Sequence, residues 1–267
     1  MKLIAIVMCL LVLYWQRRPI RPVAFRVTNL YLAQVFKYFN EGEQLKAIEV
    51  FLLLLLPTAV IFLLGIMIAG IGNDDSALIM IFSGQWNLPF FIFSAFLLFL
   101  FSSSSNIHLG QQRDEEEPAE LQVIDISHYL RDLFAPLFWF VLLGPIMVFF
   151  YFLVNSLVTY LDGQCRPKVI EASILKILNF PVVILLCFSF ALSGNFDGVI
   201  SKINERLSDS KAVWIECFNI EFLYSVSELG LGKGNFGEHD FAIKLARRIL
   251  FIWLVIISLM TLFGWAL

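Results

Sequence analysis

Long uninterrupted runs of apolar residues constrain this chain more than any other feature. A helix needs about 20 largely apolar residues to cross a bilayer, and roughly 17 at the least. Four stretches reach or approach that length: 50–71, 86–102, 134–160 and 249–267. A soluble domain has too little interior to bury four such runs, whereas lipid covers them directly. The sequence therefore predicts an all-α, polytopic membrane protein.

Two further runs extend this prediction. The stretch 174–193 is a fifth span, although it contains Asn179 and Pro181. The stretch 3–15 is short and has no small-residue cleavage site after it, which favours an uncleaved first helix over a signal peptide. The alternative for 3–15 is a segment that lies on the membrane surface. We expect five to six transmembrane helices in one membrane domain covering residues 1–267.

Composition agrees with lipid as the surrounding medium. The chain is 59% hydrophobic and 15% charged, against about 45–50% and about 25% in soluble domains. A net charge of −3 and the lack of a basic tract exclude nucleic acid as the expected partner. The four cysteines form no CxxC pair, so we expect neither a disulfide framework nor a cysteine metal site. Cys9 and Cys187, inside apolar runs, are expected to be small buried hydrophobes.

Basic residues orient the predicted bundle. Cytoplasmic loops of membrane proteins carry an excess of Lys and Arg. The segments 16–49, 103–133 and 195–248 hold six, two and seven basic residues, which is 15 of the 19 in the chain. We therefore expect these three segments in the cytoplasm and both termini outside. If 3–15 does not cross, the N-terminus is cytoplasmic and the rest of the topology is unchanged.

Two of these segments contain apolar residues at helical spacing, which predicts amphipathic helices. The first set is Tyr31, Leu32, Val35, Phe36 and Phe39. The second set is Val199, Ile203 and Leu207, followed by Trp214, Ile215, Phe218 and Phe222. Each helix is expected to turn its apolar face to the bundle or the interface. Packing alone accounts for both patterns.

Candidate ligand-binding residues lie in and next to the fourth run. His128, Arg131 and Asp132 follow i, i+3, i+4 spacing, which would place them on one helix face at the cytoplasmic headgroup level. There they could contact a ligand or simply anchor the helix end. Asn155 is a strongly polar residue within an apolar helix, and we expect it to hydrogen-bond a neighbouring helix.

The remaining motifs are weaker. An acidic run could bind Mg²⁺ through carboxylate oxygens, with solvated charge as the alternative; it consists of Asp114, Glu115, Glu116 and Glu117. The stretch Gly232–Gly237 fits GxGxxG but lacks the strand and helix of a dinucleotide site, so it is interpreted as a linker. No catalytic constellation stands out, and we expect no cofactor.

Several segments resemble the AmpE family, inner-membrane regulatory proteins of β-lactamase induction. The resemblance is carried by residues 129–145, with the core FAPLFWFVLLGP, by 177–181 and 190–196, and by the ending 246–265. It implies a multi-pass protein of the bacterial inner membrane that senses cell-envelope stress. Such a protein would bind a small ligand or a partner membrane protein within the lipid bilayer.

The AmpE family is distantly similar to the CobD/CbiB membrane enzymes, which form an amide on a corrinoid carboxylate. Those enzymes carry a Trp-x-Pro-Ala-Arg motif, where this chain has Asn179-Phe-Pro-Val-Val183. Val183 replaces the arginine that would clamp a phosphate or carboxylate, which weakens the enzyme alternative. Asn179 completes the set of candidate ligand-binding residues. A transporter is a third possibility, disfavoured because few ionisable residues lie in the predicted spans.

Overall fold

The computed structural model describes residues 2–15, 23–37, 47–70, 88–102, 130–163, 169–193, 195–209, 222–223, 225–226 and 238–263. Over these residues the chain is helical and contains no strand, so the all-α prediction is confirmed. The helices are α1 Lys2–Trp15, α2 Val23–Phe36, α3 Ala47–Gly70, α4 Leu88–Ser102, α5 Ala135–Leu143, α6 Pro145–Gly163, α7 Val169–Ser193, α8 Phe196–Asp209 and α9 Glu238–Leu262. A π-helical turn, Leu130–Phe134, precedes α5. Over its described residues, each predicted run is thus helical apart from a break at Gly144.

Helix α6 is the centre of the bundle. It packs against α2, α3, α4, α5 and α7. All seven residues from Tyr151 to Leu157 are buried, and a helix buried on every side occupies an interior position. The polar side chains of Asn155 and Ser156 therefore lie inside the bundle, away from its outer surface.

The predicted continuous span 134–160 is wrong in one respect, because it is divided at Gly144. Gly144 has φ +83° and ψ −168°, a region open essentially to glycine alone. Pro145 follows and has no amide hydrogen to continue the α-helical pattern. As a result α5 has 9 residues and α6 has 19. Only α6 has close to the length of a crossing, at about 28 Å.

Helix α2 is hydrogen-bonded to α3 at a backbone carbonyl group that a proline leaves without its usual donor. Pro57 lies inside α3 and cannot donate to the carbonyl of Leu53, four residues earlier. The hydroxyl of Tyr31 in α2 donates to that same carbonyl at 3.3 Å. An unpaired carbonyl is costly in an apolar environment, and a neighbouring helix is a common source of the missing donor. The contact fixes where α2 docks on α3.

Helix α8 begins with a side-chain cap. The Oδ1 atom of Asn195 accepts a hydrogen bond from the amide of Gly198 at 3.0 Å, the usual geometry of an asparagine N-cap. A Cβ atom on residue 198 would approach Asn195 Nδ2 to 2.7 Å, so glycine suits the position. The buried side chain of Val199 confirms the inward face predicted for this amphipathic helix. Phe222, from the same predicted set, is also buried.

The packing of the first predicted amphipathic helix is confirmed. Leu32 and Phe36 are buried, and the Phe36 ring stacks on Tyr160 with centroids 5.3 Å apart. Tyr151 of α6 contacts Asn179 of α7. From that contact, Tyr160 lies nine residues toward one end of the bundle and Ser189 lies ten residues toward the other, a separation of about 28 Å. Phe36 is therefore at the opposite end of the bundle from Ser189.

The loop-charge prediction places 16–49 and 195–248 on the same side, and it places residue 160 on the other. The stacking of Phe36 on Tyr160 brings together two residues that the charge count assigns to opposite sides, and the membrane side of each segment stays a prediction. The physical reason is that a charge count treats 16–49 as one loop. Helix α2 occupies 14 of those residues, a length of about 21 Å. It can carry the chain along the bundle within that segment.

Large apolar side chains cover the outside of the described bundle. Two helical stretches, Glu49–Ile68 and Ala172–Leu192, are long and apolar enough to cross a membrane. Only 17% of the first is buried, and its outward residues include Phe51, Leu63 and Met67. Soluble monomers rarely expose contiguous apolar surfaces of this extent. The shorter helix α4 and the C-terminal helix α9 also present exposed phenylalanines.

Candidate functional site

A polar cluster joins the two central helices. The hydroxyl of Tyr151 in α6 donates to Oδ1 of Asn179 in α7 at 2.9 Å. Asn155 follows Tyr151 by four residues and so lies on the same face of α6, where it is buried. Two candidate residues that are 24 positions apart in the sequence are thus brought to one region. We call Tyr151, Asn155 and Asn179 the α6–α7 polar cluster.

Tyr151 is not among the predicted site residues. Tyrosine counts as apolar when a spanning run is identified, so its hydroxyl does not stand out within a long hydrophobic segment. The available signal is its position four residues before Asn155, because i and i+4 side chains share a helix face. Asn179 is held by a partner on α6 and is therefore fixed in orientation. That Asn155 bonds a neighbouring helix stays a prediction.

Asp132 lies in a second region, at the π-helical turn. It is 4% exposed and is the one buried charged side chain among residues whose burial the structure describes. Charged residues are almost never fully buried unless they have partners. The side chain of Asp132 therefore lies within the protein, and its level relative to the lipid headgroups stays a prediction. The turn that holds Asp132 is π-helical, with hydrogen bonding from i to i+5.

An aromatic contact joins this second region to α7 and α9. The Trp253 indole donates to Oγ of Ser189 at 2.9 Å, and Ser189 itself donates to the carbonyl of Leu185. The Phe134 ring meets Trp253 edge-on, with centroids 5.4 Å apart. Ser189 is ten residues beyond Asn179, a distance of about 15 Å along α7. Of the predicted site residues whose side chains are described, Asn155 and Asn179 therefore lie in the first region and Asp132 lies in the second.

Other predicted residues fall outside the description. His128, the acidic residues 114–117 and the glycine-rich stretch 232–237 lie outside the described residues, and of Arg131 only the backbone is described. Within the part of the chain that is described, no three His, Cys, Asp or Glu side chains come together in a group that could hold a metal ion. Cys9 and Cys187 are buried free thiols, as expected.

Val183 occupies an interior position. It is 1% exposed, and it follows Asn179 by four residues on the inward face of α7. Val182 and Leu186 beside it are also buried. An arginine at position 183 would therefore point into the bundle next to the α6–α7 polar cluster. In this chain the position contributes only apolar packing.

No protein-family model, no curated protein and no solved structure matches the chain.

Proposed function

We propose that the chain is a multi-pass protein of the bacterial inner membrane that acts as an AmpE-like regulatory sensor. It would link cell-envelope stress to β-lactamase induction by binding a small ligand or a partner membrane protein. The observation that carries the membrane assignment is the exposed apolar face of α3. In water, eight large apolar side chains exposed along this helix would cost on the order of 10 kcal/mol.

The α6–α7 polar cluster supports a binding role. Asn155 and Asn179 supply both amide donors and carbonyl acceptors, and small-molecule sites combine mostly apolar walls with a few such groups. The cluster is uncharged, which suits a neutral, hydrogen-bonding ligand better than an ion. Asp132 in the second region would provide charge selectivity if a cationic partner group entered there.

A route from the cluster to α2 supports a signalling role. Tyr160 lies on α6 nine residues beyond Tyr151 and contacts α2 through Phe36. A movement of α6 would therefore shift α2 through this ring contact. Helix α2 is also hydrogen-bonded to α3 through the hydroxyl of Tyr31. A ligand shifts such an equilibrium only if it binds the two positions of α6 with different affinity.

The sensor proposal is tested by genetic complementation. In the bacterium that carries this gene, we would delete it and measure inducible β-lactamase activity, then restore wild-type, Asn179→Leu or the control variant Leu185→Met. Leu185 is on the same helix but exposed, so the control leaves the cluster intact. We expect induction to change on deletion, and wild-type and control to restore it while Asn179→Leu does not. Unchanged induction after deletion would contradict the proposal.

The amide-forming alternative has a separate test. Purified protein would be incubated with a corrinoid acid, ATP and aminopropanol phosphate, and the amide product would be sought by mass spectrometry. The sensor proposal predicts no product, since Val183 offers no group to hold a phosphate or carboxylate. Product formation would favour the CobD/CbiB-like alternative.

A further inference from the structure

The outward face of α9 carries an arginine followed by a line of apolar side chains. Arg248, Phe251, Val255 and Leu259 follow i, i+3, i+7, i+11 spacing, so they share one face of the helix. All four side chains are exposed, whereas Trp253 on the opposite face is buried. We call these four exposed residues the α9 outer stripe.

Helix α9 has one charged end and one apolar end. All of its acidic and basic residues come before Ile249, and none follows. Ile257, four residues after Trp253, is buried, so the helix still packs against the bundle beyond Trp253. Because charged side chains are costly in the membrane interior, the end that carries Arg248 is directed toward the membrane surface.

The level of Arg248 along the bundle follows from the Trp253 contact. The Trp253 indole donates to Ser189, three residues before the end of the apolar stretch Ala172–Leu192. That end lies about 4.5 Å from Ser189 along α7, and Arg248 lies about 7.5 Å from Trp253 along α9. Arg248 is therefore level with a point about 3 Å beyond the apolar stretch. Lipid phosphates occupy this level, at the border of the hydrocarbon.

We infer that the α9 outer stripe binds an anionic phospholipid, with the phosphate on the Arg248 guanidinium and an acyl chain along Phe251, Val255 and Leu259. The lipid site rests on the membrane assignment of the proposed function and goes beyond it. Arg248 and Leu259 are separated by about 16 Å along the helix. One leaflet contributes about half of the 30 Å hydrocarbon thickness, so the stripe matches the length of one lipid.

The chemistry of Arg248 favours a negatively charged headgroup. A guanidinium group binds phosphate oxygens through two parallel hydrogen bonds. No acidic residue lies three or four positions from Arg248 in the sequence, where an ion pair within the helix would form. A basic residue at the membrane surface favours anionic lipid by about fivefold.

Quenching by brominated lipids tests the site. A variant without the four native cysteines would carry a bimane fluorophore on a cysteine at position 255. The protein would be placed in vesicles of equal amounts of phosphatidylglycerol and phosphatidylcholine, with bromine on the acyl chains of one lipid or of the other. We expect brominated phosphatidylglycerol to be about fivefold enriched beside the fluorophore. Equal quenching by the two lipids would overturn the lipid site.

Two charge variants form a matched pair. Arg248→Gln should abolish the enrichment at position 255. Arg206→Gln removes the same charge from an exposed position on α8, so it changes the net charge equally but should leave the enrichment intact. An equal loss in both variants would mean that only overall charge attracts the lipid, and the site would be wrong.

A fluorophore at position 56 separates this inference from the membrane assignment. Leu56 is exposed on α3, a helix that contains no lysine or arginine. Both brominated lipids should quench there without preference. Quenching at neither position 56 nor position 255 would refute the membrane assignment itself, whereas unselective quenching at both positions would refute the lipid site alone.

A second measurement needs no fluorophore. Native mass spectrometry of the full chain in detergent, with phosphatidylglycerol added, reports the fraction of protein that carries bound lipid. We expect the affinity for phosphatidylglycerol to fall about fivefold in Arg248→Gln and to stay unchanged in Arg206→Gln. The same affinity in wild type and Arg248→Gln would overturn the inference.

Discussion

Replacing Tyr31 with phenylalanine removes a single hydroxyl from the contact between α2 and α3. The hydroxyl donates to the Leu53 carbonyl at 3.3 Å, which is longer than the usual range of about 2.5–3.0 Å for this type of bond. A neutral hydrogen bond contributes about 0.5–1.5 kcal/mol to stability, and such bonds between membrane helices average about 0.6 kcal/mol. The long distance favours the lower half of that range. We expect Tyr31→Phe to lower the free energy of unfolding by about 0.5–1 kcal/mol.

Tyr31→Phe is costly because it leaves the Leu53 carbonyl unpaired, so a second change that supplies another donor to this carbonyl should abolish the cost. In Pro57→Ala the new amide hydrogen at position 57 can donate to the Leu53 carbonyl, as in an ordinary α-helix. The carbonyl then has a partner without Tyr31. Tyr31→Phe should cost little in that background, with a coupling energy of about 0.5 kcal/mol between the two positions.

The assay is unfolding in detergent, followed by tryptophan fluorescence. Tyr151→Phe provides the control, because Tyr151 bonds Asn179 and its loss should cost the same in the wild-type and Pro57→Ala backgrounds. Burial raises the pKa of Tyr31 above its ordinary value, so its hydroxyl stays protonated and the result should be constant from about pH 6 to pH 9. An equal cost of Tyr31→Phe in both backgrounds would refute the reasoning.

Three further changes test other parts of the structure. Gly144→Ala should destabilise the protein by about 1–3 kcal/mol, because alanine is strained at φ +83°; an unchanged unfolding free energy would contradict the break at this residue. Ser189→Ala leaves the buried Trp253 indole without its acceptor and should cost about 1–3 kcal/mol in the same assay, with Ser208→Ala on the exposed end of α8 as a neutral control. Val60→Arg should lower membrane insertion by about 2.5–3.5 kcal/mol, measured as the inserted fraction in a translocation assay. In a soluble protein this exposed position would accept arginine at little cost.

The predictable part of the fold follows from the length of apolar runs. The helix predicted at 50–71 is α3, and the helix predicted at 174–193 is α7, because a continuous apolar run of that length admits few other structures. The break at Gly144 escapes a hydropathy profile, which does not register backbone conformation, although a Gly-Pro pair is a recognised breaker. The division between α5 and α6 could therefore be identified only from the backbone conformation at Gly144.

The site is less predictable from the sequence than the fold. Asn155 and Asn179 stand out because amides are rare in apolar helices, but Tyr151, which joins Asn179 to α6, does not. Asp132 is identifiable as a candidate, yet its burial depends on how the π turn packs against α4 and α7. The end of the bundle at which Phe36 lies depends on its contact with Tyr160, and a count of loop charges contains no information about such contacts.

Lipid contact along α3 is the most direct test of the whole account. In a variant freed of its four native cysteines, spin labels would be attached in turn at Leu56, Val60 and Leu63, which are exposed, and at Leu54, which is buried. In proteoliposomes, the account predicts that the three exposed positions are accessible to oxygen and protected from a water-soluble nickel complex, while Leu54 is protected from both. Ready access of the nickel complex to Val60 would mean that α3 faces water, and the membrane assignment would fail.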